Sequence, residues 1–225
     1  MPATLLGAML ESLRDEGQLA HVDLVHCGYL AIPEQIAIVV EAADRVRSAN
    51  KQAVFVVDPV IGDVERGLYV PEAVAESVAE TLVREADWIT PNAWEMAQIS
   101  GGKDMSLTAL RDGARRLGKP ALISSVPSNI GLGTLFAAPT GDWLVETPKL
   151  PLVAKGSGDL LTALFLARRL LGAAPAVALE AAVGAVHDVL VQQLALGVDD
   201  LPLPEAQDLL LDPHTWPTAK PLPPL

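Results

Sequence analysis

The stretch Gly156-Ser157-Gly158-Asp159, inside KGSGDLLTALFLARRLLG, carries an acid out of a glycine turn straight into an apolar helical run. Gly156 and Gly158 permit a backbone that aims several N–H groups at one spot, and the helix that follows adds the positive end of its dipole there. Such a turn suits a phosphate or a negative charge that develops during a reaction. Asp159 then has two readings. It is a cap or dipole partner of its own helix, or it is a general base that accepts a proton from a hydroxyl while the glycine amides stabilise the transferring group.

Other chemically loaded residues fall where β-branched runs stop: Gly28-Tyr29, Asp58-Pro59-Val60-Ile61-Gly62-Asp63, Thr90-Pro91-Asn92 with Glu95, and Ser124-Ser125. Singly, each has an ordinary explanation. Asp-Pro and Asn form turns, Glu95 can face water on its helix, and the serines can simply end a strand. Together, three acids and an Asn at neighbouring strand ends offer oxygen ligands that could hold Mg²⁺ against a polyphosphate, with Ser124 and Ser125 as hydrogen-bond donors to phosphate. GGKD (Gly101 to Asp104) and GKP (Gly118 to Pro120) lack the spacing and the Ser/Thr of a P-loop. The four histidines are scattered without an H-E-x-x-H pair, and His187 lies on an apolar helix, so a zinc hydrolase is disfavoured. Trp88 and Trp94 read as core, and Cys27 as a buried structural thiol.

The elements that must position these residues alternate. A helix with Leu5, Leu6, Met9, Leu10 and Leu13 on one stripe opens the chain. Strands are expected over Val22 to Leu30, Ala53 to Val60, Asp87 to Thr90 and Pro120 to Val126, with helices over Pro33 to Ser48, Pro71 to Arg84 and after Pro91. This alternation predicts an α/β fold with a mostly parallel sheet covered by helices on both faces. Gly133 to Pro148 reads as a hairpin turning at Thr140-Gly141-Asp142. Helices over Gly158 to Leu171 and Ala176 to Leu196 follow, and the proline-rich tail, about 212–225, is expected to be irregular. In such sheets ligands bind outside the carboxyl ends of the strands, where the loaded residues are.

The 225 residues, half of them apolar and 20% charged, suffice for a large core in a single domain over 1–225. A net charge of -12 without a basic block argues against a nucleic-acid partner, so an anionic ligand must be held locally. One cysteine excludes an internal disulfide and fits a reducing cytoplasm. The N-terminus has no signal-peptide pattern, and Pro175, Glu180 and Asp188 interrupt the longest apolar stretch, which argues against a membrane span.

The set resembles the pyridoxal kinase family within the ribokinase-like kinases. GYL (Gly28 to Leu30), DPVIGD (Asp58 to Asp63), GLYVP (Gly67 to Pro71), ADWITPNAWE (Ala86 to Glu95) and GSGDLLTALFLARRLLG (Gly156 to Gly172) occur in family order, joined by ALE (Ala178 to Glu180) and AQD (Ala206 to Asp208). The resemblance implies a ribokinase-like three-layer α/β/α sandwich and transfer of the γ-phosphate of ATP to the 5′-hydroxyl of pyridoxal or a related B6 vitamer. Asp159 would be the base and Gly156, Ser157 and Gly158 the anion hole. Asp58, Asn92 and Glu95 would organise magnesium and the phosphates, with Asp58 and Glu95 as the metal ligands. Ser124 and Ser125 would serve the nucleotide, and Gly28 and Tyr29 the vitamer. The implied cofactors are ATP and Mg²⁺, with a monovalent cation as a further candidate.

The family's opening strand, its Ser-bearing loop and a covering hairpin have no counterpart here, since Met1-Pro2 aligns with an internal stretch. An N-terminal truncation is therefore expected, with a homodimer once the segment is restored. Two other readings stand beside the kinase: a non-catalytic remnant or subunit that binds nucleotide or pyridoxal phosphate, and a ribokinase-like kinase for another small alcohol such as hydroxymethylpyrimidine.

Overall fold

Runs of β-branched residues that alternate between two apolar faces build the sheet, and amphipathic helices return the chain across it. The computed structural model describes residues 1–152 and 155–225. Its first half runs α1 (Ala3–Asp15), β1 (Leu24–Cys27), α2 (Glu34–Ala49), β2 (Val54–Val57), a small ribbon of β3 (Gly62–Asp63) and β4 (Gly67–Leu68), α3 (Glu72–Ser77), a π-helical turn over Val78–Leu82, α4 (Val83–Glu85) and β5 (Trp88–Ile89). The second half contains α5 (Ala93–Ile99), α6 (Leu107–Leu117), β6 (Ala121–Ser128), β7 (Gly131–Ala138), β8 (Gly141–Thr147), α7 (Ser157–Leu170), α8 (Pro175–Leu196), α9 (Gln207–Leu211) and β9 (Lys220–Leu222).

Seven strands form one sheet in the order β1-β2-β5-β6-β7-β8-β9. The first four are parallel and the last four, sharing β6, are antiparallel. Strand alternation divides the core. Phe55, Val57, Ile89, Ile123 and Leu135 face Ile36, Val74, Met96 and Leu110 of α2, α3, α5 and α6. Val56, Leu122 and Phe136 face Leu161, Phe165 and Leu179 of α7 and α8. The result is the expected α/β/α sandwich. On the second face Trp88, Phe136 and Phe165 pack with ring centroids 5.1–6.2 Å apart, and such pairs contribute about 0.5–1.5 kcal/mol each beyond burial. Helix α8 is long and apolar enough to cross a membrane, but more than half of its apolar window is buried in this core.

Three expectations need correction. The hairpin turns one step earlier than predicted: Gly141 and Asp142 already pair with Ala138 and Ala137, leaving Pro139-Thr140 as the loop. A second hairpin precedes it, because β6 extends to Ser128 and pairs back with Gly131. The tail is not irregular throughout, since Lys220–Leu222 adds β9 to the sheet beside β8. Side chains of α8 hold that tail in place. Asp188 accepts from the His214 and Thr215 amides at 2.6 and 2.9 Å, and Glu180 accepts from Ala219 at 2.8 Å. Gly184 leaves the space for this approach, because a methyl group there would overlap the Thr215 carbonyl oxygen.

Candidate active site

Gly156 takes the left-handed conformation, with φ 81° and ψ -1°, and stands as N-cap of α7. Asp159 is therefore the third residue of the helix and not its cap, and the cap position supplies no side-chain hydrogen bond. The first-turn amides of a helix lack intrahelical acceptors, so this turn presents donors beside the Asp159 carboxylate. Asp159 is exposed and stands close to the end of β1: a methyl group on Gly28 would lie 3.8 Å from its Oδ1.

Asp58 follows β2 and is buried, with 7% exposure. Its amide donates to the Cys27 carbonyl at 2.8 Å, which ties the β1 and β2 ends together. The chain then turns sharply through Val60, whose φ of 42° is unusual for a β-branched residue. Strain of this kind costs about 1–3 kcal/mol and persists only where the surroundings enforce it. The enforcing group is Glu95. Its Oε1 accepts from the Ile61 and Gly62 amides at 2.8 and 3.2 Å, and its Oε2 accepts from the Asn92 amide at 2.9 Å. Asn92 returns the contact, accepting from the Glu95 amide at 2.9 Å and donating to the Gly62 carbonyl at 2.8 Å. This reciprocal capping box starts α5 and clamps the loop after Asp58 in the same stroke. Glu95 thus does not face water, having 2% exposure.

The electrostatics follow from burial. Desolvation, then the neighbouring Glu95 and Asp159 charges, hold the Asp58 carboxyl well above the ordinary carboxylate range. Desolvation also raises Glu95, against its three backbone donors. Among the described residues no Lys or Arg pairs with Asp58, Glu95 or Asp159. The Thr90 hydroxyl, on a residue 5% exposed, has no hydrogen-bond partner. Thr90, Asp58 and Glu95 line one cavity of about 170 Å³, together with Asn92, Ser124 and Asp159. An orphaned buried oxygen among uncompensated carboxylates is a donor set that fits a hard cation.

Ser124 and Ser125 occupy a bulge in β6, where the register with β7 shifts between Ile123 and Val126 and Ser125 takes φ 56°. The Ser124 amide donates to the Pro91 carbonyl at 3.1 Å, so this bulge is pinned to the start of α5. A second cavity of about 240 Å³ contains both serines with Ser157, Gly158, Lys149 and His187, and it shares Ser124 and Gly158 with the acidic cavity. The tertiary structure therefore gathers Asp58, Asn92, Glu95, Ser124, Gly156, Gly158 and Asp159 around one small space, with Ser125 and Ser157 in the adjoining one. Tyr29 follows Gly28 just beyond the end of β1. It is 59% exposed and lines an apolar cavity of about 440 Å³ beside Met1, Leu6 and Cys27. Burial pushes the Cys27 thiol up to about 12, which leaves it inert.

Two residues escape sequence reasoning. Thr90 stands in the sequence only as one of the loaded residues at its strand end, with no role of its own. His26 offers a ring nitrogen that lies, with one oxygen each of Asp58 and Asp159, in a triad whose atoms are all within 4.8 Å of one another. Its signal was the strand period: Leu24 lies on the face that α7 covers and Cys27 on the other, so His26 returns to the face of Leu24.

The family profile described as phosphomethylpyrimidine kinase matches residues 1–203. Pyridoxal kinase PdxY of Leifsonia xyli is 32% identical over 215 residues, covering 92% of this chain and 76% of that protein. The PdxY of Rubrobacter xylanophilus is 33% identical over 224 residues, covering 94% and 77%. Among solved structures, pyridoxal kinase from Leishmania donovani in complex with ADP and pyridoxamine superposes with a TM-score of 0.89 at 25% identity, covering 99% of this chain and 82% of that one. With the profile matched over most of the sequence and relatives above 30% identity aligned over three quarters of their length, this chain belongs to the pyridoxal kinase family of ribokinase-like phosphotransferases.

Proposed function

We propose that this protein transfers the γ-phosphate of ATP to the 5′-hydroxyl of pyridoxal or a related B6 vitamer. The observation that carries the reading is the placement of Asp159 on the first turn of α7, beside the glycine-turn amides and within reach of Asp58. Asp159 accepts the hydroxyl proton, and the Gly156 to Gly158 backbone stabilises charge on the transferring phosphoryl group. The relatives' names and the ADP complex support the choice of substrates.

The donor set around Asp58 fits Mg²⁺ with the nucleotide phosphates, and a monovalent cation beside it, because the buried Thr90 hydroxyl has no hydrogen-bond partner and, among the described residues, no Lys or Arg pairs with the carboxylates. When bound, such a cation neutralises phosphate charge. Asp58 is the carboxylate best placed to hold it. Glu95 contributes chiefly by fixing the loop, since both its oxygens already accept from backbone amides. Ser124 and Ser125 face the nucleotide side through the adjoining cavity. Catalysis of this kind is mainly positioning and charge stabilisation. Residues 1–225 act in this reading as one kinase domain.

The test is pyridoxal 5′-phosphate formation from pyridoxal and MgATP, with Asp159→Asn as comparison. Turnover should fall by at least about a hundredfold, the lower end of a general base's contribution, with nucleotide binding retained. Turnover that persists in Asp159→Asn removes the base assignment. A second reading, phosphorylation of hydroxymethylpyrimidine, is favoured by the description of the matching family profile. The same assay with that alcohol decides between them by kcat/KM.

A further inference from the structure

We propose that the cavity lined by Arg111, Arg115, Lys119 and Asp142, at the end of the sheet opposite the acidic centre, binds a small phosphate monoester. The sequence already concentrates charge there: Arg111, Arg115, Arg116 and Lys119 are four of the 16 Lys and Arg in a chain of net charge -12. On α6 a spacing of four stacks Arg111 and Arg115 on one face. Gly118, left-handed at φ 66°, ends the helix and leads the chain into Lys119. The cavity, of about 470 Å³, lies between this helix end, the Pro139-Thr140 turn and the tail. It sits where β6 begins and β7 ends, with Ala121 paired to Ala137, whereas the Ser124 bulge lies roughly 15 Å further along the strand.

Three cations share one acid in this cavity. Asp142 is 3% exposed, and its Oδ2 accepts from Arg111 Nε at 2.6 Å and from Arg115 at 2.9 Å, while its Oδ1 accepts from the Ala138 amide at 3.2 Å. Among the described residues no other acid lines the cavity or pairs with these cations, so two positive charges remain uncompensated. Arg111 carries the structural role: it is buried, and it also donates to the Pro223 carbonyl, which holds the tail. Arg115 is surplus to that role. Its side chain is 43% exposed, and of a guanidinium's five donors it spends one on the Arg111 carbonyl and one on Asp142. The others offer a planar fork of the kind that matches phosphate oxygens. Lys119 adds a point charge held in place by the Arg84 and Ala86 carbonyls. Ala137, Ala138, Pro139, Leu222 and Pro224 form an apolar wall, which suits the organic part of an ester, and the volume is that of a small-ligand site. A dianion matches the charge left over. This cavity shares no residue with the two cavities of the candidate active site, so the proposal does not depend on the kinase reading.

Calorimetric titration of the full chain with phenyl phosphate tests the site, and hydrogen exchange locates it. Saturable binding is expected in the wild type and should be at least about tenfold weaker in Arg115→Gln, because a charge-assisted hydrogen bond to phosphate contributes that factor. Arg115→Lys keeps the charge beside Asp142 and loses the fork, so it should weaken binding by a smaller factor. Arg116→Gln removes the same charge from an exposed position outside the cavity and should stay within about twofold of the wild type. The ester should protect the Asp142 and Leu222 amides, and inorganic phosphate should bind about tenfold more weakly because it leaves the apolar wall uncovered. Absence of phenyl phosphate binding by the wild type, unchanged binding in Arg115→Gln, an equal loss in Arg115→Gln and Arg116→Gln, or protection confined to the glycine turn of α7 would each overturn the proposal. Inorganic phosphate bound as tightly as the ester would overturn the assignment to a monoester.

Discussion

Replacing Glu95 by Gln removes a charge while conserving shape, and the consequence can be worked from the three amides that point at it. The Ile61 and Gly62 amides donate to Oε1 and the Asn92 amide donates to Oε2. A glutamine has one oxygen, so in its better orientation it serves Ile61 and Gly62 and turns an NH₂ toward the Asn92 amide. That leaves one donor unsatisfied, at about 1–3 kcal/mol, and converts two charge-assisted bonds into neutral ones, at about 1 kcal/mol each. Part of the loss returns, because Glu95 is itself disfavoured by desolvation and its charge raises Asp58. The net expectation is a loss of about 2–4 kcal/mol, a large fraction of a domain's usual 5–15 kcal/mol. Urea unfolding followed by tryptophan fluorescence measures it, with Trp94 packed close to Gly62 as a local reporter. Asn92→Ala and the double variant complete a cycle, and the two changes should be strongly non-additive because they break one capping box. A loss under about 0.5 kcal/mol, or simple additivity, would refute the clamp.

Asp58→Asn should raise the stability of the metal-free protein at neutral pH while abolishing phosphorylation. A carboxyl whose folded-state value lies above its unfolded one binds its proton more tightly in the fold. Stability is then lost as pH rises from the ordinary carboxylate value toward the raised one, and unfolding measured across that window in EDTA should lose this slope in the variant. Gly62→Ala should unfold or grossly weaken the protein, since a methyl group there overlaps the Gly67 carbonyl and the Trp94 ring; a normal melting temperature would contradict the packing. Gly184→Ala should release the tail, read as hydrogen exchange at the His214, Thr215 and Ala219 amides, with the core amides of β2 still protected. Arg111→Ala should cost about 3–5 kcal/mol, toward the lower end because Arg115 also reaches Asp142 at 2.9 Å, and chemical denaturation checks it.

Most parallel strands and their helices were legible, because VFVV and the other β-branched runs carry their own period and end in Asp-Pro, Thr-Pro or Gly signals. The β6–β7 hairpin was not. Pro127 sits inside β6, Gly131 and Gly133 sit inside β7, and the turn at Asn129-Ile130 lacks a glycine. The tail was misread for a related reason: three prolines in PLPPL suggest irregularity, yet β9 is an edge strand that borrows its partner from β8 and its anchors from α8, and edges tolerate proline.

The site divides along the same line. Residue types alone marked Gly156 to Asp159 as a turn for anions with an acid beside it, because glycine's backbone freedom and a helix start are local properties. The sequence also identified Asp58, Asn92 and Glu95 as a set at strand ends. Only the tertiary structure decided that Glu95 clamps a loop and does not face water, that Asp159 is not the helix cap, that Tyr29 lines a different cavity from the acids, and that His26 joins Asp58 and Asp159. Each of these depends on which strands lie side by side and on how much water their packing excludes. Those are relations between distant segments, and no local pattern encodes them.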